Sequence, residues 1–391
     1  MISVTEAKKI ITDNCIQEKT ESRLLSKSQG YILAKPVLSP VDTPPFHQSA
    51  MDGYAFSYES WDGKSGLQVV EEIQAGNNDV IEIKPLQAAR IFTGAALPAG
   101  ADTVVMQEHV TKNGKHIHIN NAQLTKGANV RLRGSQTKKS ELAMDKGQLL
   151  TAPAISFLAG IGIEKVDVFS KPVISIIVTG KELIQPGKEI THGKIYESNS
   201  FGLITGLKAL DIAPVSVEVV DDMEEEITGA ITRQLNSDIL ILTGGVSVGD
   251  YDLVPDMLER CGVENIFHKI KQKPGKPFYF GKKNHTLIFG LPGNPASVLT
   301  CFYEYIIPAI SRFTKRKYLK NLKMSLANGY KKKAGLTYFL KGKTNIDEVT
   351  ILNNQESYMM NSFAIADCII ELEEGKEQFA KGEMANVLMI V

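Results

Sequence analysis

Long apolar runs are missing from this chain. Its hydrophobic stretches, such as Val173–Val178 and Ile239–Leu242, have the length of a strand and are far too short to cross a bilayer. The first residues, MISVTEAKKIITDNC, hold no basic segment followed by an apolar core, so they do not read as a signal peptide. Cysteine is scarce: Cys15, Cys261, Cys301 and Cys368 are isolated and form no CxxC pair. That argues against a disulfide framework or a structural zinc site and for a reduced, cytoplasmic protein. Charge of one sign is lacking too. With 44 basic against 44 acidic residues, nothing argues for a nucleic-acid or membrane surface. The seven histidines make no HxxxH or HExxH pattern. His116 and His118 alternate along a β-like run, which places them on one sheet face rather than around a metal.

What is present is a chain of 391 residues, long enough for two to four domains. Val4–Thr12 and Arg23–Ala34 carry helical spacing. From about Val37 to Ala143, short β-like runs (Gln68–Glu72, Ala88–Phe92, Thr103–Gln107, His116–Ile119) alternate with Gly, Asn and Pro turns, the texture of a small β-rich domain. Thr151–Leu158 reads as helix, closed by Gly160 and Gly162. Over Lys171–Arg312, strands at Val173–Val178, Val215–Val219, Asp238–Thr243 and Thr286–Phe289 alternate with helices at Phe201–Leu210, Glu224–Leu235, Leu253–Arg260 and Ala296–Ile310. This predicts an open, mostly parallel α/β sheet covered on both faces. Lys315–Lys323 reads as a linker or solvated surface, and the last ~70 residues as a small β domain built from short strands.

Ligands of open α/β sheets bind beyond the carboxyl ends of the strands. Three polar loops follow predicted strands there: Thr179–Leu183, Gly244–Asp252 (GGVSVGD and beyond) and Leu291–Pro295 (LPGNP). They are expected to share one crevice. Gly244, Gly245 and Gly249 would let the backbone approach an anion, Ser247 adds a hydroxyl, and Asp250 and Asp252 could each bind Mg²⁺. A plain strand-to-helix turn with Asp252 as N-cap accounts for the same residues. Asn294 as N-cap and Pro295 at the first helical position likewise explain LPGNP in purely structural terms. KPGKP at Lys273–Pro277 sets two cations on a loop stiffened by two prolines, suited to an oxyanion, or to nothing more than a solvated basic turn. SAMDGYA at Ser49–Ala55 carries Asp52 in a turn, and Phe92–Ala95 (FTGA) is equally open to an ordinary hairpin reading.

Together these segments resemble the molybdopterin molybdenumtransferase family, which includes the bacterial MoeA proteins and the gephyrin E domain. The resemblance rests on SPVDTPPFHQSAMDGYA at Ser39–Ala55, FTGAALPAGADTVVMQE at Phe92–Glu108, VTGKEL at Val178–Leu183 and IYESNS at Ile195–Ser200. It continues through LTGGVSVGDYD at Leu242–Asp252, KPGKPFYFG at Lys273–Gly281 and GLPGNPASV at Gly290–Val298. The segments keep the family's order over nearly the whole chain; QESYMMNSFAIADCIIELEEG near the C-terminus matches more loosely.

The resemblance implies an α/β plus β fold in an elongated multidomain protomer. Its parts are a helical domain I (1–40 and 144–170), a β-rich domain II (41–143), a molybdopterin-binding-like open α/β domain III (171–315) and a C-terminal β-barrel-like domain IV (316–391). It implies a cytoplasmic homodimer, with a site between domain III of one subunit and the SAMDGYA region of the other. The implied reaction inserts molybdenum from molybdate into adenylylated molybdopterin with release of AMP, assisted by Mg²⁺. An upstream molybdopterin adenylyltransferase would supply the substrate, and molybdoenzymes or their chaperones would receive the product.

In this reading Asp52, Thr93, Glu182 and Asp252 serve catalysis. Gly244, Gly245, Ser247, Gly249, Lys273, Lys276, Pro292, Asn294, Pro295 and Ser297 bind substrate, joined by Lys341 and Ser357 near molybdate. Asp52, Glu182, Asp222 and Asp252 are the Mg²⁺ candidates.

The chain also departs from the family's usual motifs. RGSQ at Arg133–Gln136 stands for RGED, TGKEL for TGDEL through Lys181, FHQS at Phe46–Ser49 for FDNS, and Lys341 for an arginine. Three of the four changes lose an acidic residue. Two functional readings follow: an active molybdenum insertase, and a non-catalytic paralogue that binds pterin or oxyanion as a carrier or scaffold. An adenylyltransferase fits less well, because that activity belongs to single-domain relatives of domain III.

Overall fold

Six consecutive buried residues, ISIIVT, make the first strand of the central sheet, β1 (Ile174–Thr179). A strand apolar on both faces must be covered on both, and here it is. In chain order there follow α1 (Asn199–Ala209), β2 (Ser216–Val220), α2 (Glu224–Gln234), β3 (Ile239–Thr243), α3 (Val254–Arg260), β4 (Glu264–His268), β5 (Tyr279–Lys283), β6 (Thr286–Leu291), α4 (Pro295–Cys301) and α5 (Ile307–Thr314). The sheet order is β2-β1-β3-β6-β5-β4. β2, β1, β3 and β6 run parallel, while β5 and β4 are added antiparallel. Alternate residues of β1 face opposite layers. Ile174, Ile176 and Val178 pack with Leu203 and Leu207 of α1, and Ile177 packs with Ile227, Ile231, Val254 and Leu258 of α2 and α3. The pair β4 and β5 has no counterpart in the strands expected from sequence.

The computed structural model describes residues 1–15, 18–77, 79–246 and 253–390. They form two units, Met1–Glu21 with Phe169–Val391, and Ser22–Val168.

In the first unit, helix Val4–Asn14 starts where the Ser3 hydroxyl accepts the Glu6 N–H at 3.2 Å. Val4, Ala7 and Ile11 recur on one face and enter the same core as Ile174 and Ile310. This divides the expected helical domain of 1–40 and 144–170. The apolar stripe of its first helix is buried on the α/β layer, while Leu25, Tyr31 and Leu33 pack with Leu150, Leu158 and Val168 in the other unit. The expected long helix Ala296–Ile310 is two α-helices joined by a π-helical turn at Phe302–Ile306.

The same unit ends in a closed barrel of five strands. Thr337–Thr344 pairs with both Glu348–Ile351 and Cys368–Leu372, Lys320–Leu326 with Glu348–Ile351 and Met384–Met389, and Cys368–Leu372 with Met384–Met389. Lys320–Lys323, expected as a linker or solvated surface, is largely exposed but already belongs to a strand of this barrel. Closure gives each of these five strands a neighbour on both sides. The short strand Gln272–Lys273 joins the barrel strand at Thr337–Tyr338 in parallel.

The second unit holds a six-stranded sheet in the order Thr103–Met106, Gly53–Phe56, Gln87–Ile91, Leu67–Ile73, His116–Ile119, Val110–Asn113. The glycine of SAMDGYA is required by this sheet, since a Cβ at Gly53 would stand 2.0 Å from the Val105 carbonyl oxygen. The helix expected at Thr151–Leu158 spans Ala152–Gly160, with Thr151 at its N-cap. Arg23–Ala34, expected as a helix, holds only the end of strand Thr20–Leu24 and a 3₁₀ turn at Leu25–Lys27. Its main chain is bonded at long range instead, Leu25 N–H to Glu164 O, Leu33 N–H to Gln148 O and Ala34 N–H to Asp167 O, at 2.8–3.0 Å.

Candidate functional site

Because β1, β3 and β6 are parallel neighbours, their carboxyl ends lie on one edge of the sheet. A cleft of about 1000 Å³ opens there, lined by Thr179 and Gly180 after β1, Gly244 and Gly245 after β3, and Pro292–Pro295 after β6. The crevice expected from sequence therefore exists for the described parts of all three loops. Gly244 has φ +95°, and a Cβ there would lie 2.2 Å from the Thr179 carbonyl oxygen, so only glycine lets these two strand ends meet. Ser247, Gly249 and Asp252 lie outside the described residues.

The remaining walls come from three segments. Lys273 and Lys276 bring the KPGKP loop, and the Lys273 ammonium stands 5.4 Å above the Tyr338 ring. Ser297 enters from α4, where it is buried, and Ser357 comes from the segment between barrel strands. Pro295 opens α4 as expected, but the Asn294 side chain does not cap that helix. Its amide donates instead to the Ser357 hydroxyl at 3.0 Å.

Among the described residues three acidic ones line the cleft, Glu182, Asp222 and Glu356, and Asp222 accepts the Lys181 N–H at 3.2 Å. Among the described residues, no group of three His, Cys, Asp or Glu side chains could hold a metal. The donors still fit Mg²⁺, an ion that takes one or two carboxylates and completes its shell from water and substrate phosphate.

Sequence reasoning missed Asn199. Its side-chain nitrogen donates to Thr243 Oγ1 at 2.9 Å and Gly293 O at 2.8 Å, tying the ends of β3 and β6 to the start of α1. The Thr179 hydroxyl is buried without a partner among the described residues. An unpaired buried hydroxyl beside a cleft is a polar group left for whatever binds there. The motif IYESNS contained Asn199, but only the sheet order shows what it bridges.

Lys341 was expected beside the oxyanion, and the structure places it elsewhere. It is buried and does not line the cleft. Its ammonium donates to the carbonyls of Asn354, Glu356 and Met359 at 2.7, 3.3 and 3.0 Å. An ammonium has three donors, so none remains for a ligand. Burial lowers its pKa from the ordinary lysine value. Its work is to fasten the segment that presents Ser357.

Asp52 and Thr93 belong to the other unit, where they form a pair of their own. One carboxylate oxygen of Asp52 accepts both the N–H and the hydroxyl of Thr93, each at 2.8 Å. The Thr93 backbone N–H, then its hydroxyl, hold this exposed carboxyl below its ordinary pKa. SAMDGYA and FTGA are thereby one constellation.

Sequence comparison accounts for this architecture segment by segment. The MoeA N-terminal region (domain I and II) matches residues 2–162, a probable molybdopterin binding domain 175–312, and the MoeA C-terminal region (domain IV) 323–390. The chain is 33% identical over 398 residues to the molybdopterin molybdenumtransferase of Haemophilus influenzae, covering 99% of this chain and 98% of that one. It belongs to the molybdopterin molybdenumtransferase family. The corresponding protein of a Nostoc strain is 32% identical over 380 residues, 95% of this chain and 83% of its own. The crystal structure of a molybdopterin biosynthesis MoeA protein from Pyrococcus horikoshii superposes with a TM-score of 0.87 at 28% identity, covering 100% and 99% of the two chains.

The family's usual motifs make the departures of this molybdenumtransferase relative concrete. Gln136 is exposed, and its N–H donates to Thr43 O at 2.9 Å. Arg133 is held by Asp42, Nε to Oδ2 at 2.6 Å, and its N–H donates to His47 Nδ1 at 3.1 Å. His47 of FHQS therefore acts as an acceptor through Nδ1. Lys181 contributes backbone to the cleft rim, its N–H going to Asp222 and its carbonyl accepting the Lys194 ammonium.

Proposed function

We propose that this protein is a molybdenum insertase. It transfers molybdenum from molybdate into adenylylated molybdopterin and releases AMP, as a cytoplasmic homodimer in the biosynthesis of the molybdenum cofactor. The observation that carries the reading is the cleft at the ends of β1, β3 and β6. There glycine backbone, two lysines, two serines and three acidic residues converge in about 1000 Å³.

Molybdate is a dianion, and Lys273 and Lys276 give it a cationic wall. Gly244 and Gly245 let a phosphate-bearing pterin approach the backbone closely. Ser297 and Ser357 add short hydroxyl donors. Insertion exchanges an oxo group of molybdate for the two dithiolene sulfurs, the oxygen leaving as water with the two thiol protons, and a water molecule cleaves the phosphoanhydride to AMP and the pterin phosphate. Mg²⁺, held by Glu182 and Asp222 when bound, would neutralise charge developing on the adenylate phosphate. Asp52 stays ionised because Thr93 donates to it twice. Molybdoenzymes or their chaperones would take the product.

AMP release from adenylylated molybdopterin by the purified protein with Mg²⁺, with and without molybdate, tests the reading. Molybdate-stimulated release, lost in Lys276→Ala, is the expected result. Tight binding of the adenylate with no release under molybdate or tungstate would establish a carrier instead.

A further inference from the structure

The KPGKP loop has a feature that its cations alone do not explain: three of its carbonyls are held by hydrogen bonds from the chain itself. The amide nitrogen of Gln272, a fully buried side chain, donates to Pro274 O at 3.0 Å and Gly275 O at 3.2 Å. The next carbonyl, Lys276 O, accepts the Ile270 N–H at 3.1 Å. Three successive carbonyls are thus satisfied from the interior. Gln272 cannot be flipped in this setting, because the two carbonyls that its nitrogen meets are pure acceptors.

Its oxygen is held as well, accepting the hydroxyl of Tyr305. Tyr305 sits in the π-helical turn Phe302–Ile306, where Phe302, Glu304, Tyr305 and Ile306 are all buried. Burial raises the Tyr305 hydroxyl well above its ordinary pKa, so it remains a donor. Gly275 completes the arrangement. At φ +84°, a Cβ there would lie 2.7 Å from both Cys301 Sγ and Gln272 Nε2, so the loop can lie flat on this network only as glycine.

We propose that Gln272, braced by Tyr305, is the positioning residue that makes the KPGKP loop an oxyanion site, by sequestering the Pro274 and Gly275 carbonyls so that the loop shows the cleft its cations. A carbonyl oxygen turned outward would oppose an anion beside Lys273 and Lys276. Gln272 lines the cleft, but its amide nitrogen and oxygen are both taken by protein groups, and Tyr305 lies behind it. The inference rests on the oxyanion reading of the loop.

The test is calorimetric binding of molybdate to the full-length protein at low salt. Gln272→Met keeps the volume and removes the amide, and is expected to raise Kd about tenfold. Tyr305→Phe loosens the brace alone and should raise it about threefold. The deciding readout is the double variant. If Gln272 acts through the loop's cations, the loss caused by Gln272→Met is smaller in a Lys276→Ala background than in the wild type, where both lysines are presented. Additive losses, or unchanged Kd in both single variants while Lys276→Ala weakens binding, would overturn the positioning role and leave the oxyanion reading standing. Molybdate binding that is absent, or insensitive to Lys273→Ala and Lys276→Ala, removes that reading and this inference with it. Should Gln272→Met fail to fold, the same cycle is run with Tyr305→Phe.

Discussion

The side-chain amide of Asn294 donates to the hydroxyl of Ser357 at 3.0 Å, and the Ala296 N–H donates to the Ser357 carbonyl at 3.1 Å. The loop after β6 and the segment between barrel strands are thereby fixed to one another at the cleft. Ser357→Ala removes the side-chain link and keeps the backbone one. Because the site is solvent-accessible, the stability cost should stay near ~1 kcal/mol. The effect on molybdate-stimulated AMP release should be larger, several-fold, and steady-state kinetics alongside thermal melting would separate the two.

Lys341 provides a second test, of scaffold against ligand contact. Lys341→Met leaves the carbonyls of Asn354, Glu356 and Met359 without their ammonium. Loss of three part-buried charge-assisted bonds should cost about 2 kcal/mol, visible as a fall in the denaturant midpoint. A ligand-binding lysine would behave oppositely, with stability kept and molybdate affinity lost.

Asp52 should titrate below its ordinary value of 3.8, because Thr93 donates to its charged form through the backbone and then through the hydroxyl. A depressed folded pKa stabilises the folded state fully above the unfolded pKa, and that contribution disappears as pH falls through the folded pKa. Carboxyl-carbon NMR should show the low midpoint. Thr93→Val removes one of the two donors and should move the midpoint up, while the backbone N–H keeps it short of the unperturbed value.

Glu182 and Asp222 are two of the three described acidic residues that line the cleft. Glu182→Gln keeps the shape and removes the charge. The Mg²⁺ concentration for half-maximal AMP release should rise by about tenfold or more, since a neutral amide is a far weaker ligand for this hard cation. A Mg²⁺ titration of the variant with no shift would remove Glu182 from the metal site.

By itself the sequence determined the α/β layer and the place of the crevice. Continuous apolar strands such as ISIIVT can be satisfied only inside a sheet covered on both faces, and polar Gly- and Pro-punctuated loops mark their carboxyl ends. It also supplied the motifs by which the chain joins its family, down to Asp52 and Thr93, whose pairing local chemistry could not reveal.

Tertiary structure decided the rest, where hydrogen bonds between distant residues override local spacing. Arg23–Ala34 has helical periodicity, yet Glu164, Gln148 and Asp167 take its backbone N–H groups. Asn294 sits where an N-cap belongs, but its amide goes to Ser357. Lys341 has the charge for an oxyanion and spends all its donors on three carbonyls, because closing the barrel buries it beside them. Gln272, with no motif to mark it, holds the loop that carries the lysines, since its partners at 274, 275 and 305 come together only once α4 and the π-helical turn pack beneath that loop.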